Sequence, residues 1–149
     1  MGGEKLKIDV TGASGAIPRD DIARMDEHAE RYYEEIRKRT GDVESISKNT
    51  GFSVDDVKLI KEHIFFNKYD LGGKTPMQFA PDYDMAVSWQ RLIDGKNIQE
   101  MDMIMLNHEL MEYDLMKQGM LYKEAHVIAT KSFDYTKYVK ELNNKVGIN

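Results

Sequence analysis

The stretch from Asn97 to Gly119, NIQEMDMIMLNHELMEYDLMKQG, constrains this chain more than any other. It reads as one long helix, apolar over most of its circumference from Met101 to Leu106, so other elements must cover it on several sides. His108, Glu109 and Glu112 sit in the middle of that run. An imidazole and two carboxylates are costly to bury unless something pairs with them. His108 and Glu112 are four residues apart and share a face one turn apart. Glu109 points about a quarter-turn aside, at roughly 3.6 residues per turn. That is the layout of a helical metal site in which one residue acts as general base. The same residues also suit a buried polar network, or neither role.

The flanking sequence supplies the covering helices. Pro18 opens a helical pattern with Asp20 and Asp21 in its first turn, an apolar stripe of Ile22, Met25, Ala29–Tyr33 and Ile36, and a stop at Gly41. A shorter helix runs from Asp42 to about Thr50 and ends at Gly51. Ser53 and Asp56 have capping-box spacing before a helix carrying Val54, Val57, Ile60, His63, Ile64 and Phe65. From Asp70 to Pro81 the pattern breaks into a Gly/Pro loop. Asp82 caps the next helix, which ends at Gly95 and buries Met85, Trp89 and Leu92. After the central helix, Leu121 to Ser132 forms a helix holding His126, and Phe133 to Val146 is a last amphipathic stretch. The expected fold is all-α, an irregular or orthogonal bundle of six to seven helices with a long loop near residues 70–81. Residues 1–17 read as a flexible linker or tail, as at the cut end of a longer protein, and 18–149 as a single helical domain.

Composition narrows the function. The 149 residues carry a formal net charge of -5, which argues against nucleic-acid or membrane binding. The chain has no cysteine, so thiolate zinc sites, disulfides and thiol nucleophiles are excluded. No apolar run approaches the roughly 20 residues of a membrane span. The first residues lack the apolar core of a secretory signal, which leaves a cytoplasmic or virion-associated location as the expectation.

Any metal must therefore be held by His, Asp or Glu. Three histidines, His63, His108 and His126, lie on helices that can converge. A hydrolytic site needs about three protein ligands and an open position. His108, Glu112 and His126 are the expected ligands, with Glu109 as catalytic base and His63 as a fourth ligand or an oxyanion-stabilising donor. Zinc is the first candidate, with manganese or iron not excluded by two carboxylates. The motif is H-E-x-x-E where the familiar zinc helix has H-E-x-x-H, so the string alone is weak. The competing reading pairs His108 and His126 with Glu112 or Glu109 in a metal-free core network. His28 lies in a charged surface pattern and is expected to be solvated. Residues 42–65 also have helix-turn-helix spacing, but Asp55 and Asp56 open the second helix and basic residues are few, which argues against DNA.

Several strings in order carry a resemblance: HAERYYEEIRKR, SKNTGFSVDDVKLIKEHIF, FAPDYDMAVSWQRLIDGKNI, LNHELMEYDLMKQGMLYKEAH and the closing FDY. Together, over roughly His28 to Tyr138, they resemble the C-terminal domain of Firmicutes prophage minor-head (head-morphogenesis-type) proteins and a zincin-like domain of polymorphic toxins. The matching positions are His63, Trp89, Arg91, His108, Glu109, Glu112 and His126. The resemblance implies a metal-dependent, peptidase-like toxin or processing domain, a peptide or protein substrate, and phage head components as partners. It departs at Tyr69, where that pattern has a histidine; if that histidine is a ligand, this chain is a noncatalytic member. Arg91 is then expected to clamp a buried carboxylate.

Overall fold

Helix boundaries follow the capping chemistry. In the computed structural model, which describes residues 17–145 and 147, seven helices occur: α1 (Ile22–Lys38), α2 (Asp42–Thr50), α3 (Val54–Phe65), α4 (Tyr83–Asp94), α5 (Glu100–Lys117), α6 (Tyr122–Ser132) and α7 (Tyr135–Lys145). The Ser53 hydroxyl accepts from the Asp56 amide at 3.0 Å, and the Asp82 carboxylate from the Met85 amide at 2.9 Å. Each satisfies a helix N–H that would otherwise lack a partner. α4 ends at Gly95, at φ +70°, where the Asn49 side chain donates to the Leu92 and Ile93 carbonyls. A Cβ at Gly95 would lie 2.8 Å from Asn49, so backbone angle and packing both require glycine there.

Two expectations shift. α1 starts at Ile22, not Pro18, because Pro18–Asp21 forms a turn closed by an Asp21 N–H bond to the Pro18 carbonyl, and Asp21 then caps the helix through the Arg24 amide. Ile22, in the first turn, is exposed. The central helix begins at Glu100, after Asp102 accepts from the Gln99 amide at 2.8 Å. The expected linker over 1–17 lies outside the described residues except at Ile17, which is buried with Ala29, Tyr83 and Val87.

The core joins Tyr33 and Ile36 of α1, Ile46 of α2, Val57, Ile60, Ile64 and Phe65 of α3, Trp89 and Leu92 of α4, and Met105 and Leu106 of α5. Each such side chain contributes roughly 1.5–3 kcal/mol by leaving water. α5 packs against α3, α4, α6 and α7, as its apolar circumference requires. Contacts of Glu112 with His126 and of His108 with Phe133 run in opposite sequence directions, so α5 and α6 form an antiparallel hairpin. No strand forms among the described residues; the loop after α3 is pinched by one antiparallel bridge between Tyr69 and Met77. Among the described residues, no helix is long and apolar enough to cross a membrane.

Two buried ion pairs lock helices together. Arg91 grips Asp102 through two bonds of 2.8 and 2.7 Å, the carboxylate clamp expected of it. Lys61 meets Asp42 at 2.9 Å and the Arg39 carbonyl at 3.0 Å, while the Trp89 indole donates to the other Asp42 oxygen.

Candidate metal centre

Glu112 is the hub of the polar cluster. It lies on the face of α5 that meets both α3 and α6, and it is 2 % exposed. Its Oε1 is 2.8 Å from His63 Nε2, and its Oε2 is 3.1 Å from His108 Nε2 and 2.7 Å from His126 Nδ1. All three histidines expected on converging helices therefore reach one carboxylate. Glu109 stands across from them. Its oxygens are 3.7 Å from His63 Nε2 and from His108 Nε2, outside hydrogen-bond range. Edges of a tetrahedral zinc site, with bonds of roughly 2.0–2.1 Å, are about 3.3 Å long, close to these separations.

The outer nitrogens are anchored as well. His108 Nδ1 lies 3.0 Å from the Phe133 carbonyl, at the break between α6 and α7. A carbonyl only accepts, so Nδ1 carries the proton. His108 Nε2 then presents the cluster with either a lone pair or a second proton. A carbonyl on the far nitrogen is the usual way a metal-binding imidazole is oriented. His63 Nδ1 lies 2.7 Å from the Tyr69 hydroxyl, which also accepts from the Asn67 amide at 3.0 Å. Tyr69 thus occupies the outer side of His63 and does not face the carboxylates. His126 is half-exposed, stacked on Tyr122 and edge-on to His108, at the mouth of the cluster.

Burial pushes the Glu109 carboxyl well above its ordinary range, helped by the Glu112 charge and opposed by His108. Burial would also raise Glu112, but the hydrogen bonds from His108, His63 and His126 outweigh it and hold this carboxyl low. Burial would lower His108; its bond to Glu112 and the Glu109 charge reverse that and raise it. One carboxyl kept protonated beside another kept ionised is the separation that acid–base chemistry uses.

A cavity of about 290 Å³ opens onto the cluster, lined by Tyr33, Phe79, Asp82, Tyr122 and Tyr135 together with His108, Glu109, Glu112 and His126. Among the described residues, its wall contains no Lys or Arg. A larger cavity of about 610 Å³ lies elsewhere, beside Arg19 and Arg91. Both of its guanidinium groups are already committed, to Asp84 and Asp102, and Lys96 also lines it.

The residues expected at the site all meet there: His63, His108, His126, Glu109 and Glu112. These His and Glu groups, all buried except the half-exposed His126, could hold a metal ion. The sequence reading missed the Phe133 carbonyl, the Asn67–Tyr69 anchor and the aromatic wall of Phe79. Phe133 could have been suspected, since FDY follows the α6 helix where a backbone break frees carbonyls. His28 is not solvated as expected. It is half-buried, stacked on Tyr32 and edge-on to Tyr83, with Nδ1 lacking a hydrogen-bond partner, and burial lowers its pKa. No family model matches the chain and no solved structure matches it.

Proposed function

We propose that this chain is a metal-dependent hydrolase domain acting on peptide or protein amides. His108, Glu112 and His126 hold the ion and Glu109 is the general base. The observation that carries the reading is the wiring of His108: its far nitrogen donates to the Phe133 carbonyl, so once the near nitrogen gives up the proton it shares with Glu112 it offers a lone pair toward the cluster. The donors are nitrogen and oxygen only, which suits zinc, with manganese or iron as alternatives. A divalent ion held there supplies Lewis acidity, acidifying water and polarising a carbonyl. Glu109, free of hydrogen bonds to the neighbouring imidazoles, takes the proton from water and returns it to the leaving amine. A cation nearby lowers the raised pKa of Glu109 toward the working range of a base. The cavity's carboxylates and aromatic rings, without Lys or Arg, favour a neutral amide over a phosphoester.

Origin in a phage head protein or polymorphic toxin, and with it phage head components as partners, rests on the sequence resemblance. The α2–α3 hairpin has less support as a DNA reader, because Lys61 is consumed by Asp42 and Lys58 is the other basic residue of α3. A second reading keeps the cluster as a metal-free core network. It is favoured by Glu112 bonding all three rings with no ion needed, a proton standing where the cation would be.

Cleavage of a fluorogenic peptide library separates these readings. The hydrolase reading expects activity that is lost on chelation and restored by zinc. Glu109→Gln should keep the ion at His108, Glu112 and His126 yet abolish turnover. Retained turnover would remove Glu109 as base, and absence of metal-dependent cleavage would leave the network reading.

A further inference from the structure

We propose that the cluster is built for two divalent cations, with Glu112 bridging them. The inference rests on the metal reading above and adds a second ion. The candidate donor atoms fall into two sets, each within 4.8 Å: His108, Glu112 and His126 in one, His63, Glu109 and Glu112 in the other. Glu112 is the only member of both. Its two oxygens are divided between them, Oε2 toward His108 and His126 and Oε1 toward His63. A carboxylate shared oxygen by oxygen is the natural bridge between ions roughly 3.5–4 Å apart.

Each set is complete in the same sense. Each offers three protein donors, the number that leaves an open position for chemistry. Each contains one imidazole whose far nitrogen is pinned, His108 by the Phe133 carbonyl and His63 by the Tyr69 hydroxyl. A second anchored imidazole opposite the first set is difficult to explain with one ion, whose ligand atoms can lie at most about 4.2 Å apart with bonds of roughly 2.1 Å. Glu109 sits equally from both near nitrogens, at 3.7 Å. One of its oxygens serves the His63 set, and the other stays free to take a proton as the base. Charge is consistent with this count. Glu109, Glu112 and Asp82, which lines the same cavity, oppose two dications and leave a single positive charge for the developing oxyanion of a carbonyl substrate.

The test counts ions. Chelator-stripped full chain is titrated with Zn²⁺ and read by native mass spectrometry. Mn²⁺ loading is followed in parallel by electron paramagnetic resonance, with circular dichroism confirming the fold of each variant. The wild type should take two ions and, with Mn²⁺, give the spectrum of a spin-coupled pair. Glu109→Gln and His126→Ala should each lose one ion and the coupling. One ion in the wild type overturns the pair but leaves the metal reading standing. No ion overturns both. Two ions retained by Glu109→Gln overturn the assignment of Glu109 to the second set.

Discussion

Removing the Glu112 carboxylate should expose how much of the fold depends on it. In Glu112→Ala, the near nitrogens of His63, His108 and His126 lose their shared partner at once. His126 can turn to water, but His63 is fully buried and His108 nearly so. Hydrogen bonds to charged groups contribute roughly 1.5–3 kcal/mol each, but three on one carboxylate do not add. Breaking a buried charged pair from one side costs about 3–5 kcal/mol, and that is the expected loss in metal-free protein. At roughly 2–4 °C per kcal/mol for a chain of this size, Tm should fall by about 6–20 °C. Glu112→Gln is the informative contrast. Its amide oxygen can accept from His63 while its amide hydrogens donate to lone pairs on His108 and His126, so a loss of about 1 kcal/mol is expected. Urea titration with chelator present, followed by circular dichroism, measures both. A Glu112→Ala loss below about 1 kcal/mol would refute the view that the imidazoles are organised by this carboxylate.

Metal-free protein should lose stability as pH rises. Glu109 is raised from 4.5 and His108 from 6.5, so above those values the folded chain holds protons that the unfolded chain has shed. Glu112, lowered from 4.5, acts the other way and withdraws stability only as pH falls below that value toward its folded pKa. Tm should therefore peak in mild acid and decline through neutrality, whereas saturating zinc should reverse the decline because its ligands must be deprotonated. A flat profile in both states would contradict this. Arg91→Ala strands the fully buried Asp102 and should cost about 3–5 kcal/mol in urea titrations, with Arg91→Lys costing less because one bond survives. Tyr69→Phe frees the far nitrogen of His63 and should weaken zinc binding by roughly 10–100-fold in competition with a chromophoric chelator, with about 1 kcal/mol lost in stability.

Much of this architecture is legible in the chain. The apolar circumference of α5, the caps at Ser53 and Asp82 and the glycine stops fix the helices through local chemistry that needs no tertiary context. The grouping of His108, Glu109 and Glu112 follows from helix geometry alone, and His126 follows from the tight turn into α6. His63 is different. Its approach depends on how α3 packs on α5, and side-chain spacing within one helix carries no such information. The Phe133 carbonyl and the Tyr69 hydroxyl were hidden for the same reason: one is a backbone group at a helix break, the other sits in a loop held by a single bridge. Asp42 read as an ordinary helix start, yet packing against Lys61 and Trp89 makes it a core residue. His28 read as solvated because its sequence neighbours are charged, but Tyr83 comes from α4, far along the chain.

Crystals grown with zinc and measured on both sides of the zinc absorption edge test the central claim most directly. The account predicts anomalous density at Glu112, within bonding distance of His108 Nε2 and His126 Nδ1. Density confined to surface carboxylates, with the three imidazoles still hydrogen-bonded to Glu112, would contradict it.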